Sequence, residues 1–528
     1  MGAMASLADK TPAAKDDEPE PIVHGARIGR LLTALANLPM RPVQVLVFYL
    51  GALGVYALPL ILNNILFIDD NLREMQAATW WKPEGRPLGD YVFNGVALTP
   101  GTPDFFPLSM LLAIVVMAVA LTHLAFFWFK RPVLTQCLIL LPLWFNPFYL
   151  QELSYQYECL TLSLGVALAV LAMSFTLRTP WLQILVRGVM LACAASLDQL
   201  PVNVFVGLVC VDVLRQPSIP TTLRGLLARP FNHAVVLIVG GALYYVTSYQ
   251  MLQNDRGGLV MPSFAEWGER IGLLASKVGL FITPGNAVPF GVLALCALAG
   301  LVITAATALR APVSIGLKVG YVCLLAVAVV GVVLAVGGLL LFLYDLTSNA
   351  DARVLVGVGP LLVALFLLAH RFFERVAVRW AALLVIPLGI FLSFAYVYGQ
   401  YARQKNETEL FVRTLVVSDI FNHDGVSQAR GLYILEDSNN DINNVFARVC
   451  VQRMLPALRY VAINDYMFLP EQLKKWGVTN IADGDPPQLP ALTDPVVSRP
   501  FYDLYVVNDY AYLRFKARVA EPSCPSLE

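Results

Sequence analysis

Long apolar segments separated by short polar ones run through the first three quarters of this chain. Most are long enough to cross about 30 Å of hydrocarbon as an α-helix. Hydropathy predicts about eleven spans, near 43–67, 106–128, 133–150, 159–177, 182–197, 201–214, 233–252, 287–309, 319–344, 354–369 and 380–400. The fifth and sixth are short and also fit a re-entrant pair. We therefore expect a polytopic α-helical membrane protein.

Polar regions flank the apolar part of the chain. Residues 1–40 are predicted to be a disordered cytoplasmic tail, residues 41–400 a transmembrane domain with a large outer loop at 68–105, and residues 401–528 a small α/β domain. In that last region the pattern predicts a helix at 441–458, which Pro456 ends early. Strands are predicted at 432–436, 460–463, 504–507 and 510–515.

Basic residues fall on alternate connections between the predicted spans. They follow the second, fourth, sixth, eighth and tenth spans, and they are Lys130, Arg131, Arg178, Arg215, Arg224, Arg229, Arg310, Lys318, Arg371, Arg375 and Arg379. The positive-inside rule places these connections in the cytoplasm. The loops 68–105, 151–158, 198–200, 253–286 and 345–353 and the C-terminal domain then face the outside, which in a bacterium is the periplasm.

Composition narrows the function classes. The chain is 57% hydrophobic and 14% charged, against about 25% charge in a soluble domain. A net charge of zero argues against a nucleic-acid binder. We find no nucleotide-binding loop and no histidine pair with metal-ligand spacing, so we expect neither a cofactor nor a metal. Cys450 and Cys524 can form a disulfide if the C-terminal domain is exported, but the sequence leaves this open.

The outer loop after the first span carries the richest chemistry. Asp69 and Asp70 stand at the membrane boundary, where carboxylates can be solvated and can also reach the head of a lipid-linked substrate. Arg73 shares a helical face with Asp70, and Trp80 and Trp81 suit a helix lying in the interface. Arg86 and Asp90 follow. The alternative interpretation is an acidic solvated loop with an aromatic belt.

Other outward segments add candidate ligands. Tyr155, Tyr157 and Glu158 can form either a sugar-binding surface or a belt of interfacial aromatic residues. Asp198 and Gln199 lie at a tight turn, where an ionisable group is a functional candidate. Four cations can bind a lipid phosphate or, alternatively, anchor headgroups; these are Arg86, Arg256, Lys277 and Arg353.

The order of these motifs resembles the serotype-converting glucosyltransferases of bacterial O-antigen modification, the Gtr type. The resemblance covers roughly residues 60–420. It rests on the Asp-Asp pair, the following Arg, Gly-Arg-Pro-Leu at 85–88, Ser-Tyr-Gln-Tyr-Glu at 154–158, Asp-Gln at 198–199, an arginine opening a late span, and Val-Tyr-Gly-Gln at 397–400. The chain departs from the family pattern at Glu158, where Asp is expected, and at Asp198, where an aromatic residue is expected.

The resemblance implies a GT-C glycosyltransferase of the bacterial inner membrane with an outward-facing site. Undecaprenyl-phosphate glucose is the implied donor, and a sugar of the lipopolysaccharide O-antigen is the implied acceptor. From the residues we expect Asp69 to act as general base with Asp70 orienting it or the acceptor. The expected sugar or acceptor ligands are Arg73, Asp90, Tyr155, Tyr157, Glu158, Asp198 and Gln199. The alternatives are a lipid or sugar flippase and an O-antigen polymerase or ligase that uses a lipid diphosphate.

Overall fold

The computed structural model of this chain describes residues 38–216, 218–253, 260–435, 449–462, 469–486, 488–516 and 524. Its membrane part contains the α-helices α1 Pro42–Asn63, α2 Asp70–Gln76, α3 Pro87–Ala97, α4 Leu108–Phe129, α5 Leu134–Leu138, α6 Tyr149–Ser154, α7 Cys159–Ser174, α8 Pro180–Leu197, α9 Pro201–Arg215, α10 Leu223–Thr247, α11 Phe264–Gly279, α12 Ala287–Arg310, α13 Ile315–Ala335, α14 Leu346–Asn349, α15 Val358–Val376 and α16 Val385–Asn422. Within the described ranges, eight helical segments are long and apolar enough to cross a membrane. The prediction of a polytopic helical membrane protein is confirmed.

The first span ends earlier than its hydropathy predicts. Helix α1 starts at Pro42, whose fixed φ suits a first turn. It ends at Asn63 because Asn64 adopts a left-handed conformation, with φ of 46°, and its N–H donates to the Leu60 carbonyl at 3.2 Å. An irregular segment follows, so Asp69 lies beyond the helix, directly before α2.

The prediction of one span at 133–150 is wrong. The segment forms α5, a 3₁₀ turn at Leu141–Leu143 and α6, because Pro142 and Pro147 interrupt a continuous helix. Its side chains are almost all buried. Irregular backbone is tolerated at membrane depth when protein covers it on all sides.

Helix α7 lies at the centre of the bundle and is too short to cross the membrane alone. Most of its residues are buried. Arg187 of α8, itself buried, donates from its guanidinium to the Ala172 and Met173 carbonyls. These bonds satisfy carbonyls at the α7 C-terminus that would otherwise lack partners.

The connections predicted for the cytoplasm meet at one end of the bundle. Arg215 donates to the Trp128 carbonyl at 3.0 Å, and Arg371 donates to the Leu214 carbonyl at 2.7 Å. At the other end, connections predicted to face outward meet through Arg73, Glu158 and Arg86. The structure therefore groups the two sets of loops as predicted, and the side of the membrane on which each lies stays a prediction.

The C-terminal region forms a small α/β unit packed on the end of α16. It contains α17 Asp424–Ser427, β1 Leu432–Leu435, α18 Val449–Met454, α19 Ala457–Val461, α20 Leu469–Lys475, β2 Val497–Ser498, β3 Tyr502–Val507 and β4 Tyr510–Phe515. The sheet order is β1-β4-β3-β2, with β1 parallel to β4 and the other pairs antiparallel. Asn508 and Asp509 both have positive φ, as a two-residue hairpin turn requires.

Three of the four predicted strands are present in the described residues, and one is wrong. Residues 460–461 belong to α19, because Ala457, Leu458 and Val461 are spaced to bury one helical face. Helix α18 ends at Met454, before Pro456, as predicted; residues 441–448 of that predicted helix lie outside the described residues.

The C-terminal unit is tied to the membrane part near α2. Gln472 of α20 donates to Asn71 of α2 at 3.2 Å, and Lys475 pairs with Glu74 at 2.5 Å. A disulfide between Cys450 and Cys524 joins α18 to the C-terminal end of the chain. The unit therefore rests on the same short helix that begins at Asp70.

Candidate functional site

A cavity of about 460 Å³ lies beside α2, at the end of the bundle where the predicted outer loops meet. It is bounded by the first outer loop and by Gln253, the first residue of the predicted outer loop 253–286. Its lining residues are Asp69, Leu72, Arg73, Gln76, Ala78, Trp80, Pro83, Glu84 and Gln253. The cavity is large enough for one or two sugar rings.

Asp69 lines this cavity, as does a second acidic residue, Glu84. The Asp69 side chain is 38% exposed and lies 3.7 Å from the Arg73 guanidinium. Burial raises the pKa of the Asp69 carboxyl and Glu158 adds to the rise, while Arg73 and Arg353 oppose it. A carboxylate that is accessible and has an increased proton affinity can accept a proton from a bound hydroxyl.

Asp70 faces the opposite way and is completely buried. Its carboxylate accepts three backbone N–H groups, from Phe67 at 3.1 Å, Gln156 at 2.8 Å and Tyr157 at 3.3 Å. Burial raises its pKa to about 8, although Arg73 and the backbone donors lower it. These bonds fasten the first outer loop to the second, so the contacts of Asp70 are with backbone and not with the cavity.

An ionic network stands behind the cavity wall. Arg73 and Glu158 are 2.7 Å apart, and Arg86 lies 3.6 Å from the other oxygen of Glu158. Burial alone would raise the pKa of Glu158, but Arg73, Arg86 and Arg353 outweigh burial and lower it to about 2. Glu158 is therefore an ionised, buried anion that holds two arginines in place.

Arg86 is engaged on several sides. Besides Glu158, it lies 3.8 Å from Asp198 and donates to Gln199 at 3.5 Å. Burial would lower the pKa of its guanidinium, but Asp198, Glu84 and Glu158 raise it. Gln199 in turn donates to the Glu84 carbonyl at 3.1 Å and to the Tyr244 hydroxyl at 2.9 Å. These residues connect the first outer loop to the α8–α9 turn.

The backbone at Gly85 explains the glycine before Arg86. Its φ of +73° is left-handed, and a Cβ there would meet the Tyr244 hydroxyl at 3.0 Å. The Tyr244 hydroxyl also donates to the Gly85 carbonyl at 3.2 Å. Gly85 therefore allows α10 to close against the loop that carries Arg86.

The other predicted phosphate ligands are placed differently. The guanidinium of Arg353 lies 5.2 Å over the Tyr155 ring, and its backbone N–H donates to Gln151. In the part of the chain that the structure describes, Arg353 forms no ion pair with a carboxylate. Lys277 instead lies 5.1 Å over the Tyr460 ring. Arg256 lies outside the described residues.

Tyr155 and Tyr157 are buried, as is Trp81. The Tyr155 ring packs edge-on against Phe67 at 5.0 Å, and Tyr157 stacks on Phe93 at 6.0 Å. Trp81 lies under the Arg73 guanidinium at 4.8 Å. These rings fill the core of the outer loops, so none of the three offers a face to a sugar in this conformation.

Asp90 and the tryptophan pair organise the loop after α2. The Trp81 N–H donates to Asp90 at 3.4 Å, and burial raises the pKa of the Asp90 carboxyl. The prediction that both tryptophans lie on an interfacial helix is wrong. Helix α2 ends at Gln76 because Ala77 is left-handed, with φ of 51°, and the loop then turns. Trp80 is 55% exposed, whereas Trp81 is 2% exposed.

Sequence reasoning missed some residues of this site. Gln76, Glu84 and Gln253 line the cavity; Gln76 is three positions after Arg73 and could have been found from helical spacing. Glu152 is buried, its Oε2 has no hydrogen-bond partner among the described residues, and burial raises its pKa well above the ordinary value. No sequence signal separates Glu152 from the neighbouring interfacial polar residues.

Two further observations concern a second cavity and the possibility of a metal site. A small cavity of about 30 Å³ adjoins the turn at Phe67 and is lined mainly by apolar side chains, including Leu60, Phe106 and Leu153. Among the described residues, no group of three or more His, Cys, Asp or Glu side chains is arranged to hold a metal ion.

Comparison with known proteins relates the chain to one family. The family model described as glucosyl transferase GtrII matches residues 58–364. An uncharacterized 55.3 kDa protein from the gtrB 5′ region of Salmonella phage P22 is 28% identical over 207 residues, which are 38% of this chain and 41% of the relative. The chain thus spans about two fifths of that relative's length. No solved structure matches the chain.

Proposed function

Because the chain belongs to the GtrII glucosyltransferase family, we propose that it transfers a sugar, expected to be glucose, from a polyprenyl phosphate to a surface glycan such as the O-antigen. The observation that carries this proposal is the exposed carboxylate of Asp69 in a cavity backed by buried arginines. The site is proposed to face the periplasm of a bacterial inner membrane, because all its loops belong to the set without the basic bias.

Asp69 is proposed to be the general base. The acceptor hydroxyl oxygen attacks the anomeric carbon of the donor, and its proton passes to the Asp69 carboxylate as the bond forms. The bond between that carbon and the phosphate oxygen breaks, and the electron pair leaves with the lipid phosphate. A single displacement of this kind inverts the anomeric centre.

Among the predicted cations that the structure describes, Arg353 is the best placed to bind the departing phosphate. Arg86 is already surrounded by Glu158, Asp198 and Glu84, so much of its charge is compensated. Arg353 stands at the start of a membrane helical segment, and its guanidinium lies over the neutral Tyr155 ring without a carboxylate ion pair in the described residues. A fixed guanidinium there can stabilise the charge that develops on the phosphate. The small apolar cavity at Phe67 is a candidate position for the first part of the prenyl chain.

Asp70, Glu158 and Asp198 are proposed to position the loops instead of contacting substrate. Asp70 holds the second outer loop through backbone N–H groups, and Glu158 fixes Arg73 and Arg86. Asp198 accepts from the Leu200 N–H at 3.1 Å and lies beside Arg86. Preorganised surroundings of this kind keep a base aimed at the reacting hydroxyl.

The test is a transfer assay on membranes with radiolabelled polyprenyl-phosphate glucose and lipid-linked O-antigen. Asp69→Asn should abolish transfer while the protein remains inserted and folded, because an amide cannot accept the proton. Asp104→Asn is the matched control, since Asp104 is an exposed aspartate of the same outer loop. Wild-type transfer by Asp69→Asn would refute the assignment of the base, and no transfer by the unmodified protein from this donor would refute the proposed function.

A further inference from the structure

We propose that Trp80 is the stacking platform of an acceptor-sugar site in the cavity beside α2. This inference rests on the proposed glycosyl transfer and names the part of the site that holds the acceptor glycan. Sequence considerations favour the tyrosines of the second outer loop for this role, but those rings are buried. The cavity itself offers a different aromatic side chain.

Trp80 has the exposure that a stacking platform needs. Its side chain lines the cavity and is 55% exposed, and within the described residues its indole packs on no other aromatic ring. One face of a pyranose carries C–H groups, which are attracted to the electron-rich face of an aromatic ring. A tryptophan indole is the largest such surface that a side chain can provide.

The backbone holds Trp80 in a defined direction. Its φ of 54° is left-handed, which is uncommon for a bulky residue and is found where surrounding structure enforces it. Thr102 provides part of that structure, because its N–H donates to the Ala77 carbonyl at 2.9 Å and its hydroxyl donates to the Ala78 carbonyl at 3.3 Å. On the other side, the Trp81 N–H bonds to Asp90. The platform is therefore set before a ligand arrives.

The same cavity supplies polar groups of the kind that recognise sugar hydroxyls. Asp69, Gln76 and Glu84 bring carboxylate and amide groups to its wall. Arg73 also lines it and is 8% exposed; its guanidinium lies 3.7 Å from Asp69 and 2.7 Å from Glu158, which fixes its position in the wall. An apolar ring face beside hydroxyl-binding groups is the chemistry of a pyranose site.

The position of Trp80 favours the acceptor over the donor sugar. The donor is held by a prenyl chain in the bilayer, so its sugar enters from the membrane side of Asp69. Among the described residues that line the cavity, Trp80 is the aromatic one, and it is 55% exposed, so a chain of glycan residues can continue from it into water. The acceptor hydroxyl would then lie between the indole and Asp69.

Kinetics of the full-length protein in membranes test this placement. Trp80→Ala should raise the KM for the glycan acceptor about tenfold, a loss typical of one aromatic contact, while the KM for the donor and the kcat at saturating acceptor change little. Trp80→Phe should retain most of the affinity because it keeps a ring. Trp476→Ala is the control, since Trp476 is an exposed tryptophan of the C-terminal unit. An unchanged acceptor KM in Trp80→Ala would overturn the proposal. So would an equal rise in both KM values with weaker membrane association, because that result assigns Trp80 to membrane anchoring.

A binding measurement separates this inference from the proposed reaction. Saturation-transfer NMR on detergent-purified protein can use O-polysaccharide, freed of lipid A by mild acid, from a rhamnose-containing and from a galactose-containing lipopolysaccharide. The unmodified protein and Asp69→Asn should both transfer saturation to pyranose protons of at least one probe, and Trp80→Ala should not. That pattern supports the sugar site even if no transfer from a lipid phosphate is found. Binding of neither probe by the unmodified protein, or equal binding by Trp80→Ala, would refute it.

Discussion

Arg73 and Glu158 form a buried ion pair, 2.7 Å between nitrogen and oxygen, that joins helix α2 to the residue preceding α7. The two side chains come from different outer loops, and the Arg73 guanidinium also covers the Trp81 ring. This pair fixes the wall of the cavity on which Asp69 stands. The site therefore depends on a contact between loops as much as on the residue proposed to react.

Replacing Glu158 by Gln should destabilise the outer loops and reduce transfer together. The change leaves Arg73 and Arg86 without their common anion, and breaking a buried pair in this way costs about 3–5 kcal/mol. Thermal unfolding in detergent and the transfer assay measure the two effects. Glu74→Gln is the matched control, because its pair with Lys475 is partly exposed and should contribute less than about 1 kcal/mol. Equal stability of the two variants would contradict the role given to Glu158.

Asp70→Ala should lower the thermal stability, whereas Asp69→Asn should not. The alanine leaves three buried backbone N–H groups without an acceptor, at about 1–3 kcal/mol for each unsatisfied group. Asp70→Asn should be milder, since its amide oxygen can still accept two of the bonds. Melting temperatures of the purified Asp70→Ala, Asp70→Asn and Asp69→Asn proteins measure these differences in stability. A stable Asp70→Ala protein without activity would instead place Asp70 in the chemistry.

The pH dependence of transfer should report the Asp69 carboxyl. Only its ionised form accepts a proton, so kcat/KM falls as the pH decreases through the pKa. Because burial and Glu158 raise that pKa, the midpoint of the acidic limb should lie above the ordinary aspartate value of about 3.9. Rates over a pH series, with Asp69→Glu for comparison, measure this limb. A midpoint at or below the ordinary value would speak against Asp69 as the base.

The disulfide between Cys450 and Cys524 predicts a definite thiol count. Alkylation of the denatured, unreduced protein should modify six cysteines, because the other six of the eight are free thiols. Reduction before alkylation should raise the count to eight, as mass spectrometry can measure. Disulfides persist in oxidising compartments, so this result also supports export of the C-terminal unit. Eight modified cysteines without reduction would argue against both.

Hydropathy and charge alone determined the class of this protein and the grouping of its loops. Apolar length forces a helix because backbone groups in lipid must bond within their own segment, and most predicted spans are present as helices. Local turn chemistry determined the hairpin at Asn508 and Asp509 in the same way. The acidic pair after the first span was likewise visible as a motif, since its position follows from where the apolar run ends.

The tertiary structure decided what each of those residues can do. Asp69 and Asp70 are adjacent in sequence, yet one lines a cavity and the other is sealed against the second outer loop. Trp80 and Trp81 differ in the same way, since Trp80 lines the cavity and Trp81 is buried. The left-handed residue Ala77, between α2 and this pair, redirects the chain. The segment 133–150 looked like a span because hydropathy does not distinguish contact with lipid from contact with protein. Such differences depend on which distant loops meet, and that is set by packing over the whole bundle.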